Sequence, residues 1–502
     1  MDNVLLSSEN SKRNPPLIVV KKINPLKNIV DCWNIDARKE KPEYFYSYGS
    51  VENICSGKKS FVIARKGMGK TAIAEYITKN HKENEKVDNL SLLDFPINKM
   101  YGFKDTGFNT TMQYITVWKY VIYNSVCRML LQSDSIDPIT RKGLEAHYNT
   151  ETDPVKAFEA LLPDKKWMPT GGGLSFLKSG ANVSGTIVDN STDWIALVGA
   201  LYSFLKSLDD KNKYYILIDE LDEIYSFGDN EERTNYFNLL ASLFRAVNSI
   251  STEFSNADIS IKIYPVVFLR DDIFAQIRDA DKTKWNSRIE FLKWDKGSMM
   301  EMLCYRLQKS VTQDVDLKRS ASWNYFFSTK EICCGNERKN KISIFDYIAQ
   351  HTHMRPRDFI EYIRCCARIA YDNGENIISP ETVKKARDEY SINYFYEDLK
   401  SEAYVEIDNI DSIMEILGQI RKKEFDPNDF ISIYKERNPE CSDAEIQQIL
   451  KKLFNFSIIG NEPSMHDHHL FKYNNPRITY NTSEHVIVHK GLYKALQILL
   501  CI

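Results

Sequence analysis

The stretch FVIARKGMGKTAIAEYI, Phe61–Ile77, decides the fold. Phe61, Val62 and Ile63 predict a short buried strand, and Thr71–Ile77 has the amphipathic spacing of a helix, with Ile73 and Ile77 on one face. Between them, Ala64–Thr71 fits the pattern G-x-x-x-x-G-K-[ST] at every position except the first, where alanine replaces glycine. Such a loop must turn backbone N–H groups toward phosphate oxygens, which the flexible Gly67 and Gly69 permit. It must also place a positive charge near the phosphates, which Lys70 supplies, and a hydroxyl for Mg²⁺, which Thr71 supplies. The residues expected to hold a nucleotide are therefore Ala64, Arg65, Lys66, Gly67, Met68, Gly69, Lys70, Thr71 and Ala72. Alanine at position 64 is harmless wherever its φ is negative. The competing reading is a chance glycine turn between a strand and a helix.

A second motif lies downstream. YYILIDELDEIY, Tyr214–Tyr225, is a continuous apolar strand ending in Asp219–Glu220. Behind a phosphate loop, an acidic residue at that strand tip suits the Mg²⁺ shell, and its neighbour suits activation of water. Asp219 is thus the expected metal residue with Thr71, and Glu220 the expected base. An acidic helix cap is the plainer alternative, because Asp222 and Glu223 follow.

Two further apolar runs, in IKIYPVVFLRDD from Ile261 and RIEFLKW from Arg288, lack alternation. Runs of this kind suit parallel strands covered on both faces. LSLLDFPI from Leu90 reads as another strand. The fold class expected is α/β: a three-layer, parallel-sheet P-loop NTPase core with a helical lid and a C-terminal winged helix. The winged helix is read from NIDSIMEILGQIRK, PNDFISIYKER and SDAEIQQILKKLFNF, followed by strand-like SIIGN and HLFKYN. The expected organisation is a lead over 1–45, a core over 46–295 with an insertion at about 102–189, a lid over 296–395 and the winged helix over 396–502. The glycine-rich PTGGGLSFLKSGANVSG inside the insertion reads as a loop or hairpin.

Composition narrows the class. A formal charge of −3 gives no global reason to expect nucleic-acid or anionic-membrane binding. No stretch approaches the ~20 apolar residues of a membrane span, and the N-terminus is no secretory signal. The ten cysteines form no CxxC pair, which suits reduced thiols in a cytoplasmic protein. MHDHH brings His466, His468 and His469 together with Asp467, but nothing distant completes a metal spacing, and a solvated turn is expected.

The order GxGKT, hydrophobic-DE, VVFLRDD and SRIEFLKWDKGSMMEMLCYRL resembles the AAA+ superfamily, particularly its origin-recognition and STAND-like branch. HMRPRDFIEYIRCCARIA looks like that branch's lid helix bearing the second sensor. The resemblance implies ATP and Mg²⁺ as ligands and P-loop ATPase activity, with a homo-oligomer as the working form. It implies a γ-phosphate-sensing role for Arg270, an arginine finger acting on a neighbouring subunit for Arg288, and a second-sensor role for Arg357, with Arg355 as the near alternative. The sequence departs from the family's usual Asn, Thr or Ser first sensor. The biological role implied is a switch controlling a separate protein effector in antiviral defence. A DNA-binding initiator or loader using the winged helix is the alternative, and a nucleotide-stabilised scaffold is a third. Acids including Asp408, Asp411, Glu415, Asp426, Asp429 and Asp443 offset the lysines of IRKK and LKKLF, which argues against a strongly basic recognition face.

Overall fold

In the computed structural model, the described residues are 24–47, 49–91, 110–134, 136–147, 194–224, 230–311, 316–334, 340–404, 406–463 and 469–498. The core is a five-stranded sheet: β1 (Phe61–Ala64), β2 (Glu85–Ser91), β3 (Lys213–Asp219), β4 (Lys262–Arg270) and β5 (Ile289–Phe291). Every pairing is parallel and the order is β2-β3-β4-β1-β5. β1 is buried at all four positions and β3 from Tyr214 to Asp219, as strands covered on both faces must be. One face packs on the helices Thr110–Leu130, Trp194–Ser207 and Asn230–Glu253. The other packs on Gly49–Cys55 and Lys70–Lys79. The α/β P-loop core with three layers is therefore as expected.

The second strand differs in place from the expectation. It begins at Glu85 rather than Leu90, and residues 92–97 of the quoted run lie outside the described residues. Its polar start is tolerated because β2 is the sheet's edge and needs a hydrogen-bonding partner on one side only. Asp88 on this edge accepts from Arg128 at 2.8 Å and from Ser125 at 2.6 Å, tying it to the helix Thr110–Leu130. The glycine-rich stretch of the insertion and His466–His468 also fall outside the described residues.

Beyond the sheet, Asp295 and Ser298 form a reciprocal capping box that starts the helix Lys296–Lys309. Pro356, at the first position of the helix Pro356–Asp372, removes a donor that the helix leaves unbonded there. The helices Ile410–Ile420, Pro427–Arg437 and Asp443–Asn455 carry a three-stranded antiparallel sheet in the order Glu424–Phe425, His485–Val488, Ile459–Glu462. The sequence thus runs helix, strand, helix, helix, strand, strand, the element order of a winged helix. HLFKYN is not one of its strands: only Leu470 bridges, to Asn461, and His485–Val488 takes the expected place.

The N-terminal lead is more structured than a polar leader. Its helix Pro25–Cys32 packs on Pro356–Asp372, and Leu26, Ile29, Trp33 and Tyr44 are buried in the same apolar cluster as the helices after Lys296. That cluster continues without a break to Ile498. Residues 24–47 form a strap: attached to the lid side, they run past the carboxyl edge of the sheet.

Candidate functional site

The carboxyl ends of parallel strands bring their loops together, and here they bring the two motifs to one cleft. β1 ends at Ala64, whose backbone is extended like the rest of the strand. It is not among the residues with positive φ, so alanine costs nothing where the pattern has glycine. The chain then turns through Gly67 (φ +81°) and Gly69 (φ +103°), conformations that other residues rarely adopt, and enters the helix Lys70–Lys79. Lys70 is buried at 8% exposure, and its Nζ donates to the carbonyls of Ala64 at 3.1 Å and Arg65 at 3.3 Å. Burial presses its ammonium below the usual lysine range, against the pull of Asp222 and Asp219.

Asp219, the last residue of β3, is 4% exposed. Burial pushes its carboxyl up to about 6, opposed by a hydrogen bond from Thr71 and the charge of Lys70. A buried carboxylate touching a hydroxyl beside a lysine is a donor set that suits a hard divalent cation, whose charge would hold the carboxylate ionised. Glu220 follows with a left-handed backbone (φ +65°), and its N–H donates to Asp219 Oδ1 at 2.9 Å. The sharp turn separates the two acids, so that the buried one sits at the strand tip and the other opens on the cleft.

The cleft measures about 430 Å³, the size class of small-molecule sites. On the core side it is lined by Lys66, Gly67, Gly69–Ala72, Asp219, Glu220 and Asp222. On the other side stand the strap and the residues Arg306, Pro356, Arg357 and Ile360. Phe45 of the strap stacks on Tyr76 at 4.3 Å between centroids, giving one wall an aromatic surface. Trp294 donates to Met68 O at 3.1 Å, and Arg357 N donates to Gly67 O at 3.4 Å, so both later segments hold the glycine loop by its carbonyls.

The four arginines expected at the site have separate fates. Arg357 lines the cleft and stays partly exposed, with Asp398 its nearest carboxylate at 3.9 Å. Arg355 does not reach the cleft. It is fully buried and committed to Asp358, Glu402 at 3.0 Å and Asp398 at 2.7 Å. Arg270 ends β4 with its guanidinium forked onto Asp272, at 3.1 and 2.6 Å, and does not line the cleft, although its charge contributes to depressing Lys70. Arg288 lies at the far edge of the sheet. Its carbonyl accepts from Ser60 N and its side chain donates to Thr252 at 3.3 Å, a strand's length from the loop at the other end of β1. It cannot serve its own chain's cleft.

Arg38, Phe45, Tyr76 and Arg306 are cleft residues that the sequence motifs did not indicate. A cation at position 306 of a helix otherwise buried by Met302, Leu303 and Leu307 is the one signal that pointed inward.

Residues 297–399 match the family model described as the FunZ-associated C-terminal helical domain. No curated protein matches the chain. Among solved structures, similarity extends to the ORC2 protein of Aeropyrum pernix in ADPNP–ADP complexes, at 13% identity over 92% of this chain and 98% of that one, with a TM-score of 0.40. The Walker-type ATPase of Pyrococcus abyssi gives 10% identity, 90% and 96% coverage and a TM-score of 0.39. The ORC1 protein of Aeropyrum pernix in complex with DNA gives 12%, 89%, 90% and 0.37. At these values the fold stands on the sheet order and the glycine loop rather than on the overlaps.

Proposed function

We propose that the cleft binds ATP with Mg²⁺ and that the chain is an ATP-hydrolysing switch whose lid reports on the nucleotide. The observation that carries this reading is convergence: Lys70, the Thr71–Asp219 pair, Glu220 and Arg357 come from distant parts of the sequence to one cleft between core and lid. Thr71 and Asp219 would hold the ion, which supplies neutralisation of phosphate charge. Lys70 and the loop N–H groups of Lys66–Gly69 bind and orient the phosphates. Glu220 takes the proton of the attacking water. Arg357 brings a lid cation to the same space, so closure of the lid and occupation of the cleft favour each other.

Arg288 faces away from its own cleft, and that placement suits an arginine acting on the next subunit of a homo-oligomer. Arg270, locked to Asp272, would have to exchange that partner to sense a γ-phosphate. The finer role, control of a separate protein effector in antiviral defence, is carried by the sequence resemblance.

A DNA-loading role is the second reading, favoured by the element order of the C-terminal unit. Three of its cations are answered by acids: Lys422 meets Asp429 at 3.0 Å, Lys435 meets Asp443 at 2.6 Å and Arg437 meets Glu415 at 3.1 Å. The two readings separate in one experiment. ATP turnover and solution mass are measured for wild type, Lys70→Ala, Glu220→Gln and Arg288→Ala, with and without duplex DNA. The switch predicts turnover lost in all three variants, ATP-dependent assembly and no response to DNA. Stimulation by DNA that fades with salt transfers the argument to the loader. Binding without turnover in wild type leaves a scaffold and overturns both.

A further inference from the structure

We infer that Arg38 is a restraint on Glu220, carried by the strap and released by movement of the lid. The inference rests on the reading of Glu220 as the base. Arg38 and Glu220 form an ion pair across the cleft, the one from the strap and the other from the tip of the β3 turn. A guanidinium held against one carboxylate oxygen occupies its lone pairs and favours the charged form, so Glu220 is a weaker proton acceptor while the pair is closed. Catalysis by Glu220 is therefore slowed until this pair opens.

What opens it follows from how the strap is held. Trp33 Nε1 donates to Ser310 Oγ at 2.8 Å, and Asn28 donates to Ser310 O at 2.8 Å. Arg306 donates to Glu40 at 2.6 Å and to Tyr44 O at 3.2 Å, and its guanidinium covers the Trp33 ring. Ser310 and Arg306 both belong to the segment after Asp295, so the strap is fixed to the lid side of the cleft on either side of Arg38. Contact with the core is lighter: besides Glu220, the carbonyl of Arg38 accepts from the exposed Lys79 at 3.3 Å and Phe45 stacks on Tyr76. A shift of the lid carries the strap with it and draws Arg38 away from Glu220. The Arg38 side chain is 41% exposed and reaches water when the pair parts, while Glu220, 15% exposed, keeps its place on the cleft. Arg38 is in this sense a positioning residue that acts through Glu220 and makes turnover answer to lid position.

The test is the kcat and KM for ATP of wild type, Arg38→Ala, Glu220→Gln and the double variant. The restraint predicts that Arg38→Ala raises kcat about fivefold, with KM within about twofold. It also predicts that the double variant is as slow as Glu220→Gln. A lowered or unchanged kcat, a rise in KM alone, or a double variant that keeps the faster rate would each overturn it. The proposed function fails separately, by Glu220→Gln turning over ATP at the wild-type rate.

Discussion

Arg355 and Arg357 stand two positions apart in RPRD, and their surroundings give them opposite physics. Arg355 is at 0% exposure and satisfies three carboxylates, those of Asp358, Asp398 and Glu402. Removing one member of such a buried network leaves the others charged in a low dielectric, which costs about 3–5 kcal/mol. Arg357 faces the cleft and stands 3.9 Å from Asp398, beyond hydrogen-bond distance. Thermal unfolding therefore separates them: Arg355→Ala is expected to lose about 3–5 kcal/mol, while Arg357→Ala stays within about 0.5 kcal/mol of wild type but loses ATP-dependent turnover. The sequence resemblance favours Arg357 with Arg355 as the near alternative, but gives no physical ground for the preference. The choice depends on Asp398 and Glu402, which only folding brings near. The same holds for Arg38 and Glu220, which are separated by the whole of the insertion and linked by no motif.

At the scale of elements, the readings that held are those fixed by local physics. The loop and its flanking strand and helix were legible because each position answers a separate demand: apolar burial, left-handed turns at Gly67 and Gly69, a cation, a hydroxyl. β3 and β4 were legible as unbroken apolar runs. β2 was displaced because an edge strand needs little apolar surface, and its sequence EKVDNLS has little. The C-terminal strand HVIV was missed in favour of HLFKYN, although it carries the β-branched residues and HLFKYN does not. The two-residue strand Glu424–Phe425 lies below what periodicity can detect; its pairing with Val486 and Ile487 is a tertiary event. The strap lies inside the expected lead because its apolar face is short, Leu26, Ile29 and Trp33 over two turns, and the helices that cover it come more than 260 residues later.

The whole molecule is held together between lid and C-terminal unit by a buried aromatic and histidine cluster. His353 stacks on Tyr473 at 4.7 Å and meets His489 edge-on at 4.7 Å, with its Nε2 at 3.2 Å from Ser457 O. Burial lowers all three histidines of this region: His353 and His489 well below their ordinary value, and His351 to about 4. The folded state therefore keeps them neutral, while the unfolded chain binds protons once the pH falls below about 6.5. Stability from these groups is complete above that pH and is lost progressively as the pH falls toward the folded-state values. The slope is at most about 1.4 kcal/mol per pH unit for each histidine. The melting temperature is expected to drop between pH 7 and pH 5, and His489→Gln is expected to flatten that drop; an equal drop in the variant would rule out the cluster as its source.

The same junction bears on function, because Arg355 and the Arg357 N–H contact to Gly67 tie the histidine-bearing side of the lid to the glycine loop. Among the described residues no helix is long and apolar enough to cross a membrane. The proposed function stands on the cleft between core, strap and lid being a nucleotide site. The most direct test is a calorimetric titration of ATP with Mg²⁺ into wild type and Lys70→Ala. Saturable binding to wild type is expected, with one nucleotide per chain, and at least about tenfold weaker binding to the variant. Equal affinity for the two proteins, or no binding to either, would contradict it.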